Sequence, residues 1–200
     1  MKSRPIIFSA PMVRAILTGQ KTQTRRLLRI QPHGAGSWIL QGSAWVFPNI
    51  CPHTTVKCPY GIVGDRLWVR EAWCKGIGSR PFWYKADFIQ RYGAWEQDAK
   101  EGAFGVLRNE QGWKSPLFMP YVASRIELEI TGIRVERVQD ITDADALAEG
   151  VEVCEVERGL SAQEEYSVLW TEIHGYHDQK GWNANPWVWV IEFKHVGGTQ

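Results

Sequence analysis

Apolar and polar positions divide this chain into a few regular stretches separated by long irregular ones. Ile6-Ile7-Phe8 is a short apolar run that predicts a strand. Ser9 stands where it can cap a helix beginning at Pro11, with Met12, Ala15 and Ile16 on one face and Gly19 as terminator. Gln20 to Arg26 is polar, and Thr22 and Thr24 favour an extended backbone just past that helix end. From residue 30 to 63, glycines and prolines break any longer pattern and leave a loop with one short strand, Trp45-Val46-Phe47. Gly64-Asp65 predicts a turn into a strand from Arg66 to Trp73, with Leu67, Val69 and Ala72 on a sheltered face.

Residues 75–120 are Gly-rich and aperiodic, which reads as an insertion or lid rather than a second domain. Regularity returns at Arg125 to Val138. There Ile126, Leu128 and Ile130 alternate, followed by Ile133, Val135 and Val138 after Thr131-Gly132, as in one long bent strand or a hairpin. Thr142, with Asp145 at the capping-box position, predicts a helix that ends at Gly150. A second helix runs from about Ser161 to His174, with Tyr166, Leu169, Trp170 and Ile173 on its apolar face. Pro186 to Phe193 is nearly apolar throughout, as befits a central strand. The order predicts one α+β domain over residues 1–200, a small mixed β-barrel with flanking helices, without internal repeats.

Composition agrees with a single core: 200 residues, 44% of them hydrophobic, suffice for one domain. The 11 tryptophans sharpen this, since Trp45, Trp68, Trp73, Trp187 and Trp189 fall in strand-like stretches where large aromatics fill a small barrel. Met1 to Phe8 is too short and too charged for a signal peptide, and no apolar run reaches membrane-spanning length, so a soluble cytoplasmic protein without a membrane partner is expected. Cys51, Cys58, Cys74 and Cys154 are read as reduced thiols. Cys51, His53, Cys58 and Cys74 include ligand types for zinc but lack the paired Cys-x2-Cys knuckle, so neither metal nor cofactor is expected. His174, His177 and Asp178 are read as surface polar residues.

Charge changes the picture more. Residues 1–64 contain no Asp or Glu and carry +8, while the whole chain carries +1. Either an anionic or electron-rich ligand sits near this basic third, or it pairs with the acidic remainder of its own domain. A near-neutral total argues against sequence-independent grip on long duplexes.

The candidate chemistry lies in Gly19-Gln20-Lys21-Thr22-Gln23-Thr24-Arg25-Arg26. This string resembles the signature of the ASCH family, Gly-x-Lys-x-x-(Glu or Thr)-x-Arg. Gly64-Asp65-Arg66-Leu67-Trp68-Val69 is similar to the family's strand entry. Ile141-Thr142 through Glu149 resembles its following helix, and Val190-Ile191-Glu192-Phe193-Lys194 its closing strand. The match covers about half the chain, and the long middle resembles the larger members found in bacteriophages and prophages. The resemblance implies a PUA-like β-barrel whose groove handles a nucleoside or a single-stranded RNA base.

Small bacterial members are amidohydrolases that remove the acetyl group from N4-acetylcytidine with a Thr–Lys–Glu set. That resemblance places the catalytic roles on Thr24, Lys21 and Glu149, with Asp143 and Asp145 as alternative carboxylates should the helix register slip. Arg25, Arg26, Trp68 and Glu71 are the candidate substrate contacts, with Trp73 and Tyr60 as further candidates for stacking. Other members bind without known activity, so a non-catalytic RNA- or modified-nucleotide-binding module is the alternative. In a straight strand Lys21 and Thr24 point to opposite faces, so a joint role requires a turn or bulge between them.

Overall fold

The computed structural model describes residues 1–32, 36–48, 55–76, 81–87, 112–151, 159–176 and 178–197. Its organising element is the last strand, β10 (Trp187–Gly197). Trp187, Trp189, Ile191 and Phe193 enter the main core, while Val188 and Val190 on the other face enter a second apolar layer. Both faces are buried, which explains why this strand lacks polar alternation.

Around it, β1 (Ser3–Ile7), β2 (Gln23–Leu27), β6 (Arg66–Arg70) and β9 (Glu127–Arg137) complete a five-stranded sheet ordered β1-β6-β9-β10-β2. The β1–β6 pairing is parallel and the other three are antiparallel. β10 is thus central, as its apolar run implied. β9 is one continuous strand rather than a hairpin; its bend falls at a register shift that passes over Thr131, with Gly132 opposite Glu192 and Ile130 opposite Phe193.

The expected barrel is not closed. β1 and β2 remain the edges of an open sheet, and among the described residues no ladder joins them. Side chains hold the gap instead: Arg26 Nη2 on β2 donates to the Ile7 carbonyl on β1 at 2.8 Å. The architecture shown is mixed α and β with several sheets.

Helix α1 (Ala10–Leu17) packs Val13, Ala15 and Ile16 inward. Ser9 occupies its N-cap position, but the hydroxyl makes no capping bond; Pro11 in the first turn removes one donor that would need it. α2 (Asp143–Ala148) is capped by Thr142 Oγ1, which accepts from Asp145 N–H at 3.1 Å. α3 (Ala162–His174) starts with a complete Ser161–Glu164 capping box. Together α2 and α3 cover the Val188/Val190 face of β10 with Ala146, Ala162, Tyr166 and Trp170.

The loop-like region holds more strand than its sequence suggested. β3 (Ile39–Gln41), β4 (Ala44–Val46) and β5 (Thr55–Val56) form a small antiparallel sheet. The strand expected from Arg66 to Trp73 stops at Arg70, and Trp73 opens a separate hairpin, β7 (Trp73–Lys75) with β8 (Phe82–Tyr84). Two 3-10 turns, Pro116–Phe118 and Tyr121–Ala123, return the chain to β9. The rest of the expected insertion, 77–80 and 88–111, lies outside the described residues, as do Cys51, His53, Cys154 and His177. Cys58 and Cys74 are free thiols. Among the described residues no helix is long and apolar enough to cross a membrane, and no cluster of three His, Cys, Asp or Glu side chains forms.

Candidate functional site

The site begins where α1 ends. Gly19 adopts φ +78°, a left-handed turn that glycine reaches without Cβ strain, and redirects the chain into β2. Lys21 N–H donates to Ala15 O and Thr22 N–H to Ala148 O, each at 2.9 Å; Thr22 O accepts from Phe193 N–H at 2.8 Å. The two residues before β2 are therefore pinned by α1, α2 and β10 together. This is the departure from straight-strand geometry that a joint role for Lys21 and Thr24 requires.

Lys21 is fully buried at its side chain and donates to Glu149 Oε2 at 2.7 Å and to Glu149 O at 2.6 Å. Glu149 follows α2 directly and is itself only 4% exposed. Neither member is the solvated helix-end residue that its sequence position implies. Burial pulls the Lys21 ammonium below the usual lysine range; Glu149 opposes this, while Arg26 and Arg25 add to it.

Arg25, also buried, reaches Glu149 Oε1 at 3.4 Å, Asp145 Oδ2 at 3.3 Å and Glu136 Oε1. Arg134 on β9 extends the network to Glu136 at 2.9 Å, Asp145 at 3.0 Å and Glu192. Burial pushes the Asp145 carboxyl up, but Gln23, Arg25 and Arg134 outweigh it and hold the group below its usual value. The structure thus places Arg25 inside a carboxylate network, with its guanidinium 5.8 Å from the Tyr166 ring centre. Asp143, one of the alternative carboxylates, instead accepts from Gln163 N–H at 2.9 Å.

Thr24 and Arg26 share the opposite face of β2, since they alternate with Arg25. Arg26 lies 5.1 Å from the Phe8 ring centre, and the Lys21 ammonium 5.7 Å from the same ring. Phe8 therefore gathers Lys21 and Arg26 on the side to which Thr24 belongs. Thr24 and Glu149 both line a cavity of about 90 Å³, walled by Arg26, Tyr166, Trp170 and His174. A wider groove of about 570 Å³ between α1 and α3 adjoins it, sharing Met12, Glu149 and Leu169. Thr24, Arg26 and Glu149 thus meet at the smaller cavity, and the Lys21 amine joins them through its bond to Glu149. Glu149 alone of these also lines the groove, whose volume is on the scale of a small-molecule site.

The other candidates lie elsewhere. Trp68 is on the outer face of β6, edge-on to Tyr121 at 5.4 Å. Glu71 is buried just beyond β6 and held by Arg125 at 2.9 and 3.1 Å; burial raises its carboxyl and Arg125 opposes that shift. Trp73 belongs to a small apolar cluster with Met119 and Ala123, and Tyr60 packs on the main core.

Sequence reasoning missed Glu136, Arg134 and His174 as neighbours of the site. Arg134 and Glu136 alternate with Ile133 and Val135 on β9, a signal for one polar face, though not for what that face meets. His174 lies one turn after Trp170, its ring 4.3 Å from the indole, and burial together with Arg26 and Lys180 lowers its pKa.

No protein-family model matches the sequence, and no curated protein matches it. Among solved structures, the chain is similar to the crystal structure of protein EF3133 from Enterococcus faecalis V583, described by the family model DUF984. The likeness has 9% identity and a TM-score of 0.45, covering 100% of this chain and 83% of that one, a level that leaves the reading to the residues themselves.

Proposed function

We propose that the chain is an ASCH-type domain of the PUA-like kind whose groove takes an N4-acylated cytidine, and that Thr24, Lys21 and Glu149 hydrolyse the acyl amide. The observation that carries this reading is the buried Lys21–Glu149 pair at 2.7 Å beside the cavity that Thr24 and Glu149 share. The signature string supports it, since Gly19 to Arg26 is the segment that leaves α1 and forms the sheet edge.

Thr24 Oγ attacks the acyl carbon and its proton passes to Lys21 in the neutral amine form, which burial brings within reach of the resting ammonium–carboxylate pair. Such an amine has two N–H bonds for the two Glu149 oxygens and keeps a lone pair for the proton. Arg26 is the donor for the developing oxyanion. The carbon–nitrogen bond then breaks as the leaving exocyclic amine takes the proton, and water releases the acyl group from Thr24 as a carboxylic acid. Glu149 holds Lys21 in place throughout.

One observation favours a second reading, a groove that holds a modified nucleotide without chemistry: Lys21 and Glu149 already satisfy one another. Turnover decides between the two. N4-acetylcytidine and related N4-acylated cytosines are expected to lose their acyl group with the native protein. Thr24→Ala and Lys21→Ala are expected to lower the rate by roughly 100-fold or more. Folded native protein that leaves the whole panel intact would sink the hydrolase reading and leave the binding groove.

A further inference from the structure

Acyl transfer to Thr24 leaves a second step that Lys21 and Glu149 do not cover. The new ester must be attacked by water, and that water needs a base. Lys21 is poorly placed for it: its side chain is wholly buried and lines neither the cavity that Thr24 shares nor the groove beside it. A water molecule arriving from solvent meets other side chains first.

His174 is one of them. It closes α3, is half-buried, and lines the cavity of about 90 Å³ together with Thr24 and Glu149. Its ring lies 4.3 Å from the Trp170 indole, with 40° between the planes. Trp170 is only 2% exposed and its Nε1 donates to the Lys180 carbonyl at 2.9 Å, so the surface that carries the imidazole is itself fixed. Stacking holds the ring and leaves its nitrogens available for a water.

The charges nearby favour the neutral imidazole, the form that accepts a proton. Burial lowers the His174 pKa from the ordinary 6.5, and Arg26 from β2 and Lys180 beyond α3 lower it further. Arg25 of β2, Glu149 after α2 and Tyr166 of α3 are the other titratable groups on the cavity wall, and Arg25 and Glu149 are bonded to one another.

We propose that His174 is a further catalytic residue, the base that takes a proton from the water attacking acyl-Thr24. The inference rests on the proposed hydrolysis. One water proton passes to an imidazole nitrogen as the water oxygen bonds to the acyl carbon. The bond from that carbon to Thr24 Oγ then breaks, and His174 returns the proton to Thr24 Oγ. One water is consumed, the acyl group leaves as a carboxylic acid, and the hydroxyl and imidazole end as they began.

The test compares the native full chain with His174→Phe and His174→Ala on N4-acetylcytidine, following cytidine release by rapid quench and acyl-Thr24 by peptide mass spectrometry. Phenylalanine keeps a ring against Trp170 while removing the base, and melting temperature checks the fold of each variant. His174→Phe is expected to release cytidine in a burst stoichiometric with the protein, then to turn over roughly 100-fold more slowly than the native chain. Acyl-Thr24 is expected to accumulate meanwhile, and added imidazole to restore part of the rate of His174→Ala. The native rate is expected to rise with pH below 6.5, as His174 loses its proton, and His174→Phe to lack that limb. Native turnover that both variants retain in full would overturn the proposal and leave the hydrolysis standing. So would slowed turnover without acyl-Thr24 and without imidazole rescue, which would make His174 a packing partner of Trp170. Native protein that leaves the substrate intact would overturn the hydrolysis and this role together.

Discussion

Glu149 carries two duties that a single substitution separates. It neutralises Lys21 and also reaches Arg25, which retains Glu136 and Asp145. Removing it alone strands the Lys21 ammonium in the interior, whereas replacing both partners with apolar residues removes the stranded charge as well. Glu149→Ala is therefore expected to cost about 3–5 kcal/mol in urea unfolding. Lys21→Met combined with Glu149→Leu is expected to regain more than half of that. Equal losses in the single and double variants would show that the pair is held by its surroundings and not by charge. Lys21 and Thr24 were legible in the sequence because they share one unbroken string. The burial of Glu149 was not: a carboxylate before a helix-terminating glycine reads as solvated, and its partner lies 128 positions away.

At the scale of elements, Gly150 decides how closely α2 approaches α1. It adopts φ +83°, and a Cβ there would lie 2.9 Å from Ala15 Cβ and 3.1 Å from Lys21 Cβ. Gly150→Ala is expected to destabilise by more than about 1 kcal/mol, since strain and collision act together. It should also lower any Lys21-dependent activity, because relief comes by moving α2 away from Lys21. Thermal melting and turnover measured on the same preparation test both effects; unchanged stability would show that the backbone yields cheaply. Long elements were legible from their periodicity, β10 from its apolar run and α3 from Tyr166, Leu169 and Trp170. Of the small sheet, β4 was legible in Trp45-Val46, but β3 and β5 were not, because strands of two or three residues are too short to show a period of two. β9 read as either one long bent strand or a hairpin because Thr131-Gly132 looks like a turn; the strand runs through it, paired with β10 on both sides of the bend.

Across the whole molecule, the basic first third is answered partly from within. Arg4 meets Asp65, Lys21 meets Glu149, and Arg25 meets Glu136, Asp145 and Glu149. Part of the charge asymmetry is therefore pairing between distant parts of one domain, while Arg26, which borders the cavity, bonds backbone carbonyls instead. The Asp65 latch to the N-terminal strand makes this measurable. Arg4 and the Lys2 N–H hold its carboxyl at about 2, below the ordinary 3.8. A depressed folded-state value stabilises above the unfolded pKa and is lost as pH falls through the folded one. Melting temperature should thus fall between about pH 4 and pH 2, and Asp65→Asn should flatten that portion of the profile. An unchanged slope would assign acid sensitivity to other carboxylates.

The position of β10 bears on how the protein is made. A ribosome delivers Lys21, Thr24 and the rest of β2 well before the strand that pairs with them, which follows β9, α2 and α3. Until residues 187–193 emerge, β2 waits as a strand without a neighbour, and its charged side chains discourage it from pairing with another nascent chain. Thr24, on β2 itself, is thus made long before the strand that fixes it.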